Sequence, residues 1–312
     1  MNLSIKLFNS LNLQLKTKRF LNIGISMACS RYEYVKDYER DDSILPNVWI
    51  VIRVDGKGFH KFSKVHDFEK PNDEKALNLM NNAAQTVMEE FRDIILSYGQ
   101  SDEYSFVFRK ETNVFNRRSS KLLSYVTSLF TSSYVMNWPN WMGDKKLQYP
   151  PCFDGRVVLY PSDQNLRDYL SWRQADVHIN NLYNTAFWNL VLKAGLTNQQ
   201  AEAELRGTFS ADKNELLFSR FGINYNDLPA MFRKGTILLR KKVVVNKDNA
   251  KRQLIVPIHE DLIREKFWKT HSELLGKYKP GEYDDDERPN GDKLPELISR
   301  QIANIKLDDK ES

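Results

Sequence analysis

The sequence predicts a fold that mixes strands with helices, of the α+β or α/β class, and three observations carry that prediction. Short apolar, β-branched runs are interspersed with segments whose apolar residues recur at helical spacing. A turn with two glycines follows the first strand, and a polar hairpin tip joins the next two. The 312 residues, 41% hydrophobic and 28% charged, allow one large domain or two small ones with a real core. The longest apolar runs are too short for a membrane helix, so no membrane-spanning segment is expected. Two cysteines, Cys29 and Cys152, cannot build a disulfide framework or a cysteine zinc site, and point to a reducing compartment.

The elements follow in order. Val48 to Val54 is apolar and β-branched and reads as a buried strand, ending in the turn Asp55-Gly56-Lys57-Gly58-Phe59-His60. Asn72 can cap a helix with Asp73 and Glu74 in its first turn, and Leu77, Met80, Ala84, Val87 and Phe91 keep helical spacing. Ile94 to Tyr98 and Glu103 to Phe108 form a hairpin around Gly99-Gln100-Ser101-Asp102. Val114 to about Asn137 reads as one long helix with Arg117, Arg118 and Lys121 on a shared face. Phe153 to Tyr160 is a strand closed by Pro161, and Asp163 to Ala194 a long helix stopped by Gly195. Thr197 and Gln200 fit a capping box, Ser210 a further cap, and Thr236 to Val245 an edge strand or ribbon.

The net charge of +5 is unevenly spread. Residues 1–32 hold five bases and no acid, residues 281–312 ten acids and five bases, and 33–280 the remaining 36 bases and 31 acids. The first 26 residues read either as a mitochondrial transit peptide or as a leader ahead of a second start at Met27. The expected address is therefore cytoplasmic, or mitochondrial through the leader. The tail from Gly281 is polar and acidic, and disorder is expected there.

Two acidic sites stand out. Asp55 ends a buried strand, and Asp102-Glu103 sits at the hairpin tip. If the strands lie side by side, their carboxylates meet at one sheet end. Such hard oxygen ligands suit Mg²⁺, which takes one or two carboxylates plus substrate phosphates. Two such ions can activate a hydroxyl and neutralise a leaving pyrophosphate. Gly56 and Gly58 allow a close backbone approach, and successive amides there can cradle phosphate. Both sequences are also ordinary turn formers, so a plain turn stands beside the metal–phosphate reading at this point. No P-loop or dinucleotide fingerprint occurs.

Longer stretches carry a resemblance. Met27-Ala28-Cys29-Ser30, Tyr34 to Glu39, Arg53 to Phe62, Lys70-Pro71-Asn72-Asp73 and Tyr98 to Phe106 resemble the tRNA-His guanylyltransferase family. So do Phe153 to Arg156, Ser171 to Asp176, His178 to Asn184, Ala211 to Glu215 and Arg233 to Thr236, in the right order over about Met27 to Trp268. The resemblance, of eukaryotic type, implies an α+β fold, a polymerase-palm-like antiparallel sheet flanked by helices, with additional long helices. It implies a palm-like catalytic domain over 27–161, a helical and β-ribbon region over 162–280 completing the catalytic and tRNA-binding unit, a leader over 1–26 and a tail over 281–312. The implied reaction is 3′→5′ addition of one guanosine to the 5′ end of tRNA-His. ATP adenylylates the 5′-phosphate, the 3′-hydroxyl of GTP attacks and expels AMP, and pyrophosphate is removed. ATP and GTP are the implied substrates, tRNA-His the partner, and a homotetramer the assembly.

By the same resemblance, Asp55 and Asp102 bind two Mg²⁺ with the carbonyl of Gly56. Glu103 is a further acid. The amides of Gly56, Lys57, Gly58, Phe59 and His60 hold the GTP triphosphate beside Ser101. Lys70, Arg118, Lys121 and Arg156 serve the activating phosphate, and His178, Asn181, Asn184 and Lys213 face RNA or nucleotide. His60 reads as a phosphate or structural residue rather than a base. Trp138, Trp141, Trp172 and Trp188 read as core or subunit-interface residues. A palm-type nucleotide cyclase and a non-catalytic RNA-binding protein are the alternatives. The basic helices and the His178–Asn184 stretch are unexplained by the first, and intact costly carboxylates by the second.

Overall fold

The computed structural model describes residues 30–244, 251–276 and Ile298. The leader over 1–26 lies outside the described residues, as does the acidic tail apart from Ile298, which is buried beside Leu254 and Val256. Contacts divide the chain into a unit ending at Asp42 and a unit beginning at Ser43. In the first, the described residues form one 3-10 turn, Glu33–Tyr38, with Lys36 paired to Glu33 at 2.6 Å.

The second unit is built on six antiparallel strands: β1 (Trp49–Gly56), β2 (Ile94–Gln100), β3 (Glu103–Phe108), β4 (Phe153–Tyr160), β5 (Thr236–Val244) and β6 (Lys251–Ile258). Their order is β4-β1-β3-β2-β5-β6, every pairing antiparallel, so the class is α+β. β5 therefore lies inside the sheet, and the expected edge position belongs to β6.

Strand alternation feeds two cores. Ile50, Ile52, Val54, Tyr104, Phe106 and Phe108 point to one face, and Trp49, Val51 and Val107 to the other. On the first face lie α1 (Phe59–Val65), α2 (Glu74–Glu90) and α3 (Ser119–Met142). The cap of α2 is Asp73, whose carboxylate accepts from the Ala76 amide at 3.0 Å, rather than the neighbouring Asn72.

The other face is covered by α4 (Asp163–Leu192), about 45 Å long at 1.5 Å per residue. Its first half packs Leu166, Tyr169, Leu170 and Val177 on the sheet. Its second half joins a third core with α5 (Asn198–Leu205) and α6 (Ser210–Phe221). The Thr197–Gln200 capping box forms as expected, whereas α6 is entered from Phe209, and Ser210 is its first residue. Two short helices, α7 (Ala230–Lys234) and α8 (Glu265–Thr270), flank the β5–β6 ribbon.

The helix expected from Val114 is broken. Phe115, Asn116 and Arg117 all have positive φ, and α3 starts only at Ser119. The cause is Arg117, whose buried guanidinium donates to the carbonyls of Ile44, Lys110, Thr112, Leu45 and Val48. A helical φ at this turn is given up to satisfy them. Arg117 is a structural clasp and shares no phosphate-facing helix surface with Lys121.

Candidate active site

The acidic residues do meet. Asp55, near the end of β1, stands opposite Glu103 of β3 and Asp154 of β4. The hairpin tip turns through Ser101 at φ 48°, and the Gly56 amide donates to the Asp102 carbonyl at 2.9 Å. Asp55, Asp102 and Glu103 thereby line one cavity of about 660 Å³, within the range of small-ligand sites.

Two arginines bind this cluster from the α4 side. Arg53 donates to Asp55 at 2.9 Å and lies 3.5 Å from Glu103. Arg173 of α4 reaches Glu103 at 3.2 Å. Charges thus alternate along Asp55, Arg53, Glu103 and Arg173. Burial alone would lower the Arg53 pKa, but Glu103 and Asp55 outweigh it and leave it raised. Burial raises Glu103 above the usual carboxylate range despite both guanidiniums. Among the described residues no guanidinium pairs with Asp102. Burial, with the charges of Asp55 and Glu103 adding, pushes it up to about 6 against the pull of Ser101. Glu103 is therefore bound to two cations, while Asp102 is the carboxylate that a further cation would relieve.

Among the described residues no group of three or more His, Cys, Asp or Glu side chains closes a metal site by itself. Two carboxylates with ligand oxygens and water are what Mg²⁺ takes beside phosphate substrates, so Asp55 and Asp102 fit that ion.

The turn after Asp55 is tightly packed. A Cβ on Gly56 would lie 2.3 Å from the Phe59 ring, and Gly58 at φ 68° enters α1. Phe59 is itself core, stacked on Phe62 with centroids 4.7 Å apart. The amides expected to cradle phosphate divide in two. Gly56 donates to Asp102 and Lys57 to the Cys152 carbonyl at 2.8 Å, so both are already used. Gly58, Phe59 and His60 remain, the last two being first-turn amides that a helix leaves without an internal acceptor. His60 and Ser101 line the cavity.

Lys70 also lines it, donating to Ser63 Oγ at 3.2 Å, with its ammonium 5.5 Å from the Trp188 ring. Burial lowers its pKa. From α4 come Asn181 and Asn184. Asn181 is buried, accepting from Asn72 at 3.0 Å and donating to the Tyr225 hydroxyl at 3.1 Å, which disperses the expected open polar stripe. His178 lies outside the cavity lining, edge-on to Tyr225 at 5.3 Å, its pKa lowered by burial and by Arg233.

Gly56, Lys57 and Gly58 lie behind the lining rather than in it, and four further expected side chains are not brought to the cavity. Arg118 precedes α3, Lys121 is exposed on it, Arg156 on β4 pairs with Asp154 at 3.2 Å, and Lys213 donates to the Thr208 carbonyl at 2.8 Å. Trp138 and Trp141 are core as expected, while Trp188 lines the cavity and Trp172 is 57% exposed. Arg53, Arg173 and Asn180 complete the site without having been singled out. A lone arginine inside the apolar run Val51-Ile52-Arg53-Val54 was the available signal for the first of them.

A family model described as Thg1, tRNAHis guanylyltransferase, matches residues 32–161, and the model of the Thg1 C-terminal domain matches residues 164–276. The chain is 73% identical over 276 residues to a probable tRNA(His) guanylyltransferase of Drosophila melanogaster, covering 88% of this chain and 94% of that one. It is 48% identical to the crystal structure of the Saccharomyces cerevisiae tRNA(His) guanylyltransferase, with a TM-score of 0.65, covering 72% of this chain and 96% of that one. A bacterial tRNA(His) guanylyltransferase-like protein in complex with ATP, 22% identical, shares the fold with a TM-score of 0.63 over 79% of this chain and 99% of its own.

Proposed function

Because the chain belongs to the tRNA(His) guanylyltransferase family, we propose that it adds one guanosine to the 5′ end of tRNA-His at the centre formed by Asp55 and Asp102. It is a nucleotidyltransferase. One observation carries the assignment of the site: the strand-end and hairpin-tip carboxylates line one cavity, together with Lys70 and three asparagines of α4.

The steps are attacks at phosphorus. An oxygen of the tRNA 5′-phosphate attacks the α-phosphorus of ATP and expels pyrophosphate. The 3′-hydroxyl of GTP then attacks the tRNA 5′-phosphorus and expels AMP. Hydrolysis finally removes pyrophosphate from the added nucleotide. Positioning and charge neutralisation supply most of such catalysis. Mg²⁺, two ions in this proposal, would sit on Asp55, Asp102 and the Gly56 carbonyl and supply a more acidic hydroxyl and a neutralised leaving group. The chain's own residues do the rest. The amides of Gly58, Phe59 and His60 hold triphosphate oxygens, with Ser101 beside them. Lys70 places its ammonium at the activating phosphate. Arg53 orients Asp55, and Arg173 reaches it only through Glu103. His178, Lys213, Arg118, Lys121 and Arg156 lie outside the cavity and are assigned to the RNA.

The test is incubation with 5′-monophosphorylated tRNA-His, ATP, labelled GTP and Mg²⁺. One 5′ guanosine is expected, with loss in Asp55→Ala and Asp102→Ala. Cyclised GTP without labelled tRNA overturns the reading in favour of a cyclase, and binding without turnover in favour of an RNA-binding protein. A homotetramer belongs to the same proposal and is read by light scattering. So does the address, cytoplasmic or mitochondrial through residues 1–26, which is read by imaging chains with and without that segment.

A further inference from the structure

Trp172, Asp176, Asn180 and Asn184 follow one another at four-residue spacing on α4, so their side chains stand in one row. Asp176, Asn180 and Asn184 line the cavity, and Trp172 continues the row one turn beyond its rim. Its indole is 57% exposed, a costly position for so large an apolar ring. The Arg173 guanidinium lies 3.3 Å from the ring centroid and is the same group that reaches Glu103 at 3.2 Å. The ring is thus separated from the acidic centre by a single side chain. Tyr169 supports it from 6.4 Å. On β4, Arg156 opposes Arg53 in register, shares its face and is half-exposed.

An accessible π-surface backed by one cation, with a second cation on the same face of the neighbouring sheet, is what single-stranded nucleic acid uses: phosphate on the cation, base on the ring. Every tRNA carries an unpaired 3′ end beside its 5′ terminus. Chemistry at the 5′-phosphate therefore brings unpaired bases to the rim of the same cavity. A free nucleotide would occupy the cavity itself, whose lining omits Trp172.

We propose that Trp172 is the stacking platform for an unpaired base of the tRNA 3′ end, with Arg156 at the adjoining phosphate. The proposal rests on the guanosine-addition reading above. Its test is binding, which needs no turnover. Full-length wild type, Trp172→Ala and Trp172→Phe are titrated with intact tRNA-His and with tRNA-His lacking its unpaired 3′ nucleotides, at several salt concentrations. Trp172→Ala should raise the Kd for intact tRNA about tenfold, as loss of one stacked base does, and Trp172→Phe much less. The effect should vanish on the truncated tRNA. The salt slope should stay unchanged, since no phosphate contact is lost, whereas Arg156→Ala should lower it by about one.

An unchanged Kd, or an equal loss on both RNAs, overturns the proposal. So does a raised Kd for GTP or ATP alone, which would make Trp172 part of a free-nucleotide site. A smaller mass for Trp172→Ala in light scattering would make the ring a subunit contact and overturn it too. A Trp172-dependent Kd in a chain that adds no guanosine would sink the reaction and leave the platform standing.

Discussion

Replacing Asp102 by asparagine should stabilise the protein while abolishing guanosine addition. Burial, with Asp55 and Glu103 nearby, raises this carboxyl from its ordinary 3.8 to about 6. A rise of that size costs the folded state about 3 kcal/mol once the group is ionised. The sign follows from proton binding. Between about pH 4 and pH 6 the folded chain holds a proton that the unfolded chain releases, so stability falls as pH rises across that window. Above about pH 7 the full penalty is present, and below about pH 4 it is gone. Asparagine is neutral throughout and nearly isosteric. It loses the hydrogen bond that Ser101 gives the ionised form, and the site is partly exposed, so a net gain of about 1–2 kcal/mol remains. That is a rise in Tm of about 2–8 °C for a protein of this size. The measurement is thermal unfolding of Asp102→Asn and wild type at pH 7.5 and pH 4, without divalent ions. An equal or lower Tm for the variant at pH 7.5, or a gain that persists undiminished at pH 4, would show that Asp102 carries no such penalty. Added Mg²⁺ should raise the wild-type Tm and narrow the gap, since a ligand that binds only the folded state stabilises it.

Gly56→Ala should place a methyl against the Phe59 ring, which Phe62 and Phe153 hold, and displace the Asp55 turn. A fall in kcat/KM of about 10²-fold with a native circular dichroism spectrum is expected; full activity would mean that the turn does not position the reaction. Arg117→Lys should lose most of the carbonyl contacts and cost about 3 kcal/mol or more by urea unfolding, leaving the salt slope of tRNA binding unchanged. Glu103→Gln should leave Arg53 and Arg173 without their shared carboxylate and cost about 3 kcal/mol. In a double-mutant cycle with Arg173→Gln the two losses should be strongly non-additive, and simple additivity would dissolve the proposed network.

The sequence shows some of these features and hides others, for physical reasons. β1 is legible because a strand buried on both faces must be apolar at consecutive positions, from Trp49 to Ile52. The Asp55–Asp102 pair is legible because turn residues end both strands. β6 is hidden because Lys251, Arg252 and Pro257 interrupt its apolar pattern, and without it β5 reads as an edge. The break at Arg117 is hidden because spacing records which residues are apolar, not which sign φ takes. Arg173 is hidden because its role depends on α4 crossing the sheet opposite Glu103, and nothing local in Ser171-Trp172-Arg173-Gln174 encodes that crossing. Asn181 shows the converse: its neighbours on the helix are legible, but its burial against Asn72 and Tyr225 is a matter of tertiary packing.

The uninterrupted course of α4 has a consequence for how the protein comes apart. One rod contributes Leu166, Tyr169, Leu170 and Val177 to the sheet core and Leu182, Ala186 and Leu190 to the helical cluster. A chain cut just before Ser162 would leave the second fragment with a bare apolar flank and the first with an uncovered sheet face. Neither piece is expected to fold on its own. Amide exchange along α4 should show one block of protection rather than two, with no slow-to-fast step near Asn180. The helical cluster is therefore not expected to be lost or swapped while the sheet stays intact; the two should melt on one calorimetric transition.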